Sequence, residues 1–128
     1  MTATAIPKSP YSTRQVLTKI RQYFSRPNAR YAIEKIQVGG LTCQYRAPDG
    51  SKCAVGVLIP DELYSRAMEQ WEPEEVGNFL KSKGILKENV PDSLLRDLQS
   101  HHDEEAMAGS PMSLFIEDIA RLEKEYIS

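Results

Sequence analysis

Lys52-Cys53-Ala54-Val55-Gly56-Val57-Leu58-Ile59 is the stretch on which the fold class turns. Its small and apolar residues show no decisive period, so the run suits a returning strand or a buried helix. Read as a strand, it closes a hairpin with Leu41 to Arg46, where Leu41, Cys43 and Tyr45 alternate with Thr42, Gln44 and Arg46. The connecting Ala47-Pro48-Asp49-Gly50-Ser51 has the chemistry of a tight turn. Pro is preset for a first corner, and Gly is free to adopt positive φ. Read as a helix, the run leaves the domain essentially all-α. The expectation is an α+β fold, mostly α, with about five helices packed around one small hairpin or extended segment and all-α as the alternative.

Upstream, Ser12 and Gln15 make a capping box in which each side chain satisfies the other residue's backbone N–H. Val16, Leu17, Ile20, Tyr23 and Phe24 then recur on one face of a helix that Pro27-Asn28 ends. Arg30 to Val38 is ambiguous between helix and strand, and Gly39-Gly40 breaks it. Downstream, Pro60-Asp61 opens a helix carrying Leu63, Tyr64, Ala67, Met68 and Trp71. Pro73 opens another, stopped at Gly84. Pro91 or Asp92 opens a third through Leu94, Leu95 and Leu98, and Ser110-Pro111 opens the last on Phe115, Ile119, Leu122 and Tyr126. Asp103-Glu104-Glu105 through Gly109 reads as a solvated loop.

A chain of 128 residues can bury a core of its own. No linker or repeat divides it, so residues 12–128 are expected to form one domain behind a disordered lead-in over residues 1–11. Met1 to Pro10 has no apolar core of a secretory signal, and no run approaches a membrane span. With two cysteines and no export signal, the cytoplasm and free thiols are expected. Net charge is −2, unevenly spread: residues 1–33 hold six bases and no acid, while from Asp61 onward sixteen acids face seven bases. The plain consequence is attraction between these parts within one fold. The alternative is a nucleic-acid contact through Arg14, Lys19, Arg21 and Arg26.

Residues 43–64 carry the most distinctive pattern, C-x-Y-R, a D-G turn, then K-C-A-V-G-V-L-I-P-D-x-x-Y. This pattern resembles a stretch of small uncharacterised bacterial and phage proteins. Leu98-Gln99 to His102 extends the likeness. The resemblance implies a fold relationship and a mobile-element setting, and it implies no chemistry.

The thiols admit several readings. In a hairpin pairing Ala47 with Ser51 and Tyr45 with Cys53, Cys43 and Cys53 lie diagonally, ~7–8 Å apart by Cα. A disulfide spans ~4.4–6.8 Å, so that register strains it. Zinc could use Cys43, Cys53, His101 and His102, but the close cysteine spacing of a zinc knuckle is missing, and adjacent histidines diverge by ~100° on a helix. The expectation is no metal and no cofactor. A nucleophilic Cys53 at a helix start, with His101 or His102 as base and Asp103 as orienting acid, would make a cysteine-dependent hydrolase or transferase. The apolar neighbours of Cys53 argue instead for a buried core thiol, with Gly56 as a close-approach position. Both histidines continue the stripe of Leu94, Leu95 and Leu98.

Trp71, followed by Glu72, Glu74 and Glu75, reads either as a helix-end tryptophan before an acidic first turn or as an aromatic anchor ringed by acids. With no catalytic spacing, phosphate loop or uniform basic face, the balance leans against an enzyme. The favoured function is a small accessory or regulatory protein that binds an unidentified protein partner. It predicts an apolar or acidic patch around Trp71 and no deep polar cleft.

Overall fold

In the computed structural model, which describes residues 5–36 and 40–127, Ser12 caps the first helix by the reciprocal bonds its sequence predicts. Its N–H donates to Gln15 Oε1 at 2.8 Å, and the Gln15 N–H donates to Ser12 Oγ at 3.2 Å. Helix α1 runs Thr13–Phe24, and Val16, Leu17, Ile20, Tyr23 and Phe24 are all buried. Each such side chain contributes roughly 1.5–3 kcal/mol when withdrawn from water. Strand β1 (Ile33–Ile36) pairs antiparallel with β2 (Gly40–Cys43), Ile33 opposite Cys43. Val38 and Gly39, on which part of the sequence reading rests, lie outside the described residues.

The D-G turn closes as its residues dictate. The Gly50 N–H donates to Ala47 O at 2.9 Å, and Gly50 takes a φ of 90°. Ala47 N–H donates to Ser51 O at 2.9 Å and Cys53 N–H to Tyr45 O at 3.2 Å. The expected register therefore exists, but Arg46–Lys52 is its single bridge. Beyond it the chain winds into a 3-10 helix over Val55–Leu58. This segment packs against α1 and the third helix, and every residue from 51 to 60 is buried. A strand enclosed there would carry edge N–H and C=O groups into the core without partners. The 3-10 turn satisfies its own groups, with Val57 N–H on Cys53 O at 3.0 Å and Ile59 N–H on Gly56 O at 3.2 Å. A Cβ on Gly56 would fall 2.1 Å from the Tyr45 carbonyl oxygen, so only glycine fits the approach.

From Asp61 the expected helix is instead two short 3-10 turns, Asp61–Leu63 and Arg66–Gln70, with Tyr64 and Ser65 extended between them. Helix α2 (Pro73–Ser82) starts at the predicted proline, and the Glu75 carboxylate accepts the Glu72 N–H at 2.9 Å. Helix α3 (Asp92–Ala108) runs on through Asp103-Glu104-Glu105, where a loop is expected from the charges. Glu104 faces solvent while Ala106 extends the buried stripe. The helix ends only at Gly109, whose φ of 67° lets Ser110 N–H reach Glu105 O at 2.9 Å. Helix α4 (Met112–Ile127) buries Phe115, Ile119 and Leu122.

Helices α2, α3, α4 and α1 pack in that succession. The α+β expectation is thus overturned. The described residues hold four α-helices and eight strand residues in one two-stranded ribbon, and the core lies among the helices. The fold is all-α. Tyr11, assigned above to the lead-in, is tied down: its N–H donates to Ile85 O at 2.8 Å, and Lys87 N–H donates to its carbonyl at 2.9 Å. Charge attraction within the chain is realised where Arg21 on α1 grips Glu123 on α4, Nε to Oε2 at 3.1 Å. Among the described residues no helix is long and apolar enough to cross a membrane.

Candidate functional site

Because α3 continues past His102, the residues from Arg96 to Asp103 present one polar face toward the end of β2 and the loop at Trp71. Together these elements enclose a cleft of about 380 Å³. Trp71 and Tyr45 form its aromatic side. Trp71 is half-buried, its ring edge-on to Phe79 with centroids 5.6 Å apart, and its carbonyl accepts the Tyr45 hydroxyl at 2.6 Å. Glu69, Glu72 and Asp103 line the cleft against one guanidinium, Arg96. Glu69 is held in place by accepting the Tyr45 and Arg46 amides at 2.8 and 3.1 Å.

The inner wall of the cleft holds the densest set of chemically capable groups. Asp103 Oδ1 accepts the Gln99 amide at 2.9 Å and lies 3.0 Å from His102 Nδ1. Gln99 in turn accepts the Val55 N–H at 3.2 Å, fastening α3 to the buried 3-10 segment. His102 is wholly buried, its ring edge-on or tilted against Phe24, Tyr31 and Phe115. Its Nε2 lies 3.2 Å from the Ala32 N–H and can only accept from it. In the neutral ring the proton then resides on Nδ1, where it is donated to Asp103. The half-buried Cys43 completes the group. Burial first, then the charge of Asp103 and a hydrogen bond to it, push its thiol up to about 12.

The predicted catalytic trio of Cys53, His101 and His102 is not assembled. Cys53 is wholly buried, its sulfur accepts the Gly56 N–H at 3.3 Å, and burial raises its pKa well above the ordinary value. It therefore lacks the accessible, low-pKa thiol a nucleophile needs. His101 turns the other way on α3, its Nδ1 3.6 Å from the buried Asp118. His102 has both ring nitrogens engaged, which leaves no free base for Cys43. The cysteines are unpaired, since Cys43 opposes Ile33 rather than lying across a longer hairpin from Cys53.

Of the predicted partner-binding residues, Trp71 and Glu72 line the cleft. Glu74 pairs with Arg96, and Glu75 caps α2. Trp71 borders a polar-walled cleft with acidic residues, where an apolar or acidic patch and no deep polar cleft were predicted. Arg21 pairs with Glu123, Arg26 stacks 3.9 Å from the Tyr23 ring centroid, Lys19 lies 5.5 Å over Tyr11, and Arg14 faces the α1–α4 groove. Asp103 and Gln99 are the residues whose weight the sequence reading missed. The signal was their i, i+3, i+4 spacing, which sets Gln99, His102 and Asp103 on one helix face once α3 runs through Asp103.

Compared with protein-family models, curated proteins and solved structures, the chain matches none.

Proposed function

We propose that this chain is a small non-enzymatic accessory protein, bacterial or phage in origin and working in the cytoplasm, that binds another protein by taking a basic side chain into the Trp71 cleft. One observation carries the reading: an aromatic side and three carboxylates meet in a cleft that holds a single guanidinium. An arginine or lysine entering it gains cation–π contact with the indole and Coulomb attraction in a partly desolvated space. The engaged nitrogens of His102 and the protonated Cys43 support binding over catalysis. Unpaired cysteines suit a reducing compartment.

Trp71 is the only tryptophan, so its fluorescence reports on the cleft directly. Short arginine- or lysine-bearing peptides should shift or quench it in a salt-sensitive way, acidic peptides should not, and Glu72→Gln should weaken the response. Emission indifferent to basic peptides at low ionic strength would remove this reading.

A further inference from the structure

Arg96 stands between two sets of carboxylates. On α3 it shares a face with Gln99, Ser100 and Asp103, at i, i+3, i+4 and i+7, and all four line the Trp71 cleft with Glu69 and Glu72. Its guanidinium nevertheless pairs outside that set. Nη1 donates to Glu74 Oε2 on α2, and Asp92 and Asp97 add Coulomb attraction. None of these three acids lines the cleft. We propose that Arg96 is the cleft's internal competitor for a basic side chain and that Glu74 tethers it, so that this pair sets how strongly the cleft takes a partner's arginine or lysine. The inference rests on the proposed binding of a basic side chain beside Trp71 and names the residues that regulate it.

Asp103 lies two helical turns from Arg96, about 10 Å along the axis. The long arginine side chain covers most of that distance, so from one backbone position it can meet either Glu74 or the acids of the cleft. Turned inward, it would neutralise the carboxylates that an incoming cation needs and would repel that cation as a like charge. Held by Glu74, it leaves the acids of the cleft open.

The tether is a loose one. Its two side chains are 51% and 36% exposed, and ion pairs in water contribute little. Arg96 therefore populates both positions, and apparent affinity scales with the fraction of molecules whose cleft is open. Loss of either partner changes affinity by about two- to fivefold. The directions are opposite: removing the competitor tightens binding, and removing the tether weakens it.

Trp71 fluorescence titrated with acetyl-Gly-Arg-Gly-amide, a probe with one cation and no carboxylate, tests the pair at low ionic strength. Arg96→Gln should bind the probe about two- to fivefold more tightly than the wild type, and Glu74→Gln about as much more weakly. Lys87→Gln and Glu117→Gln, at exposed positions outside the cleft, make the same changes in net charge and should each move affinity less. Added to Arg96→Gln, Glu74→Gln should weaken binding less than it does in the wild type, because the tether then holds nothing. Circular dichroism checks that each variant is folded. Additive effects of the two substitutions, or an Arg96→Gln that merely matches Lys87→Gln, overturn the role of the pair while the wild-type response, and with it the cleft, stands. A wild type whose emission ignores the probe removes the cleft and this inference together.

Discussion

The Ala32 amide and His102 Nε2 are joined at 3.2 Å across seventy residues of sequence, tying the chain before β1 to the middle of α3. This one bond sets the tautomer of a buried imidazole, and through Nδ1 it orients Asp103 at the cleft. Its loss should be felt as both instability and misplacement of the carboxylate.

His102→Leu preserves much of the volume but leaves the Ala32 N–H without an acceptor. The expected cost is about 1–3 kcal/mol, read from the urea midpoint at unchanged slope. A change within ~0.5 kcal/mol, typical of surface positions, would mean that this amide is satisfied elsewhere.

Gly56→Ala places a methyl group 2.1 Å from the Tyr45 carbonyl, and backbone has to move on one side or the other. Overpacking of this kind costs typically 1–3 kcal/mol and sometimes more, with Tm falling by about 4 °C per kcal/mol for a domain of this size. An unshifted melting curve would show that the two segments do not approach so closely.

The two thiols should separate by alkylation against pH. Cys53 should stay inert until the protein unfolds, because it is wholly buried. Cys43 is half-exposed, yet its rate at neutral pH should be far below that of a free thiol and should climb toward about 12. The sign for stability follows: the folded state holds this proton more tightly than the unfolded chain. The stabilisation is therefore complete below the ordinary thiol value of 9.0 and is lost as pH rises toward about 12. A Cys43 rate that titrates below ~8.5 would contradict the assigned environment.

Much of the helical frame was legible in local chemistry. The Ser12–Gln15 box, the N-terminal Pro73 and the apolar stripes of α1 and α4 act within a turn or two of their own residues. The P-D-G turn was equally local. The end of α3 was misread because Asp103-Glu104-Glu105 resembles a solvated loop by composition, whereas a long helix tolerates acids on its outer face while Ala106 continues the inner one. The candidate site was half legible: Trp71 and Glu72 were named, but Cys43 and Asp103 entered as minor partners in readings centred on Cys53.

Amphipathic periods, caps and turn residues settled by themselves that this chain makes helices with a buried stripe and a tight turn at Gly50, because those signals act over a few residues. Tertiary structure alone decided that the chain pairs only at Lys52 and Cys53 and then coils from Ala54 to Ile59. The segment is enclosed by α1 and α3, so no solvent-facing side imposes a period on its residues. It also decided the cleft. Cys43, His102 and Asp103 meet only once the ribbon, the Ala32 amide and the full length of α3 are packed together, and no local pattern encodes a contact across such distances.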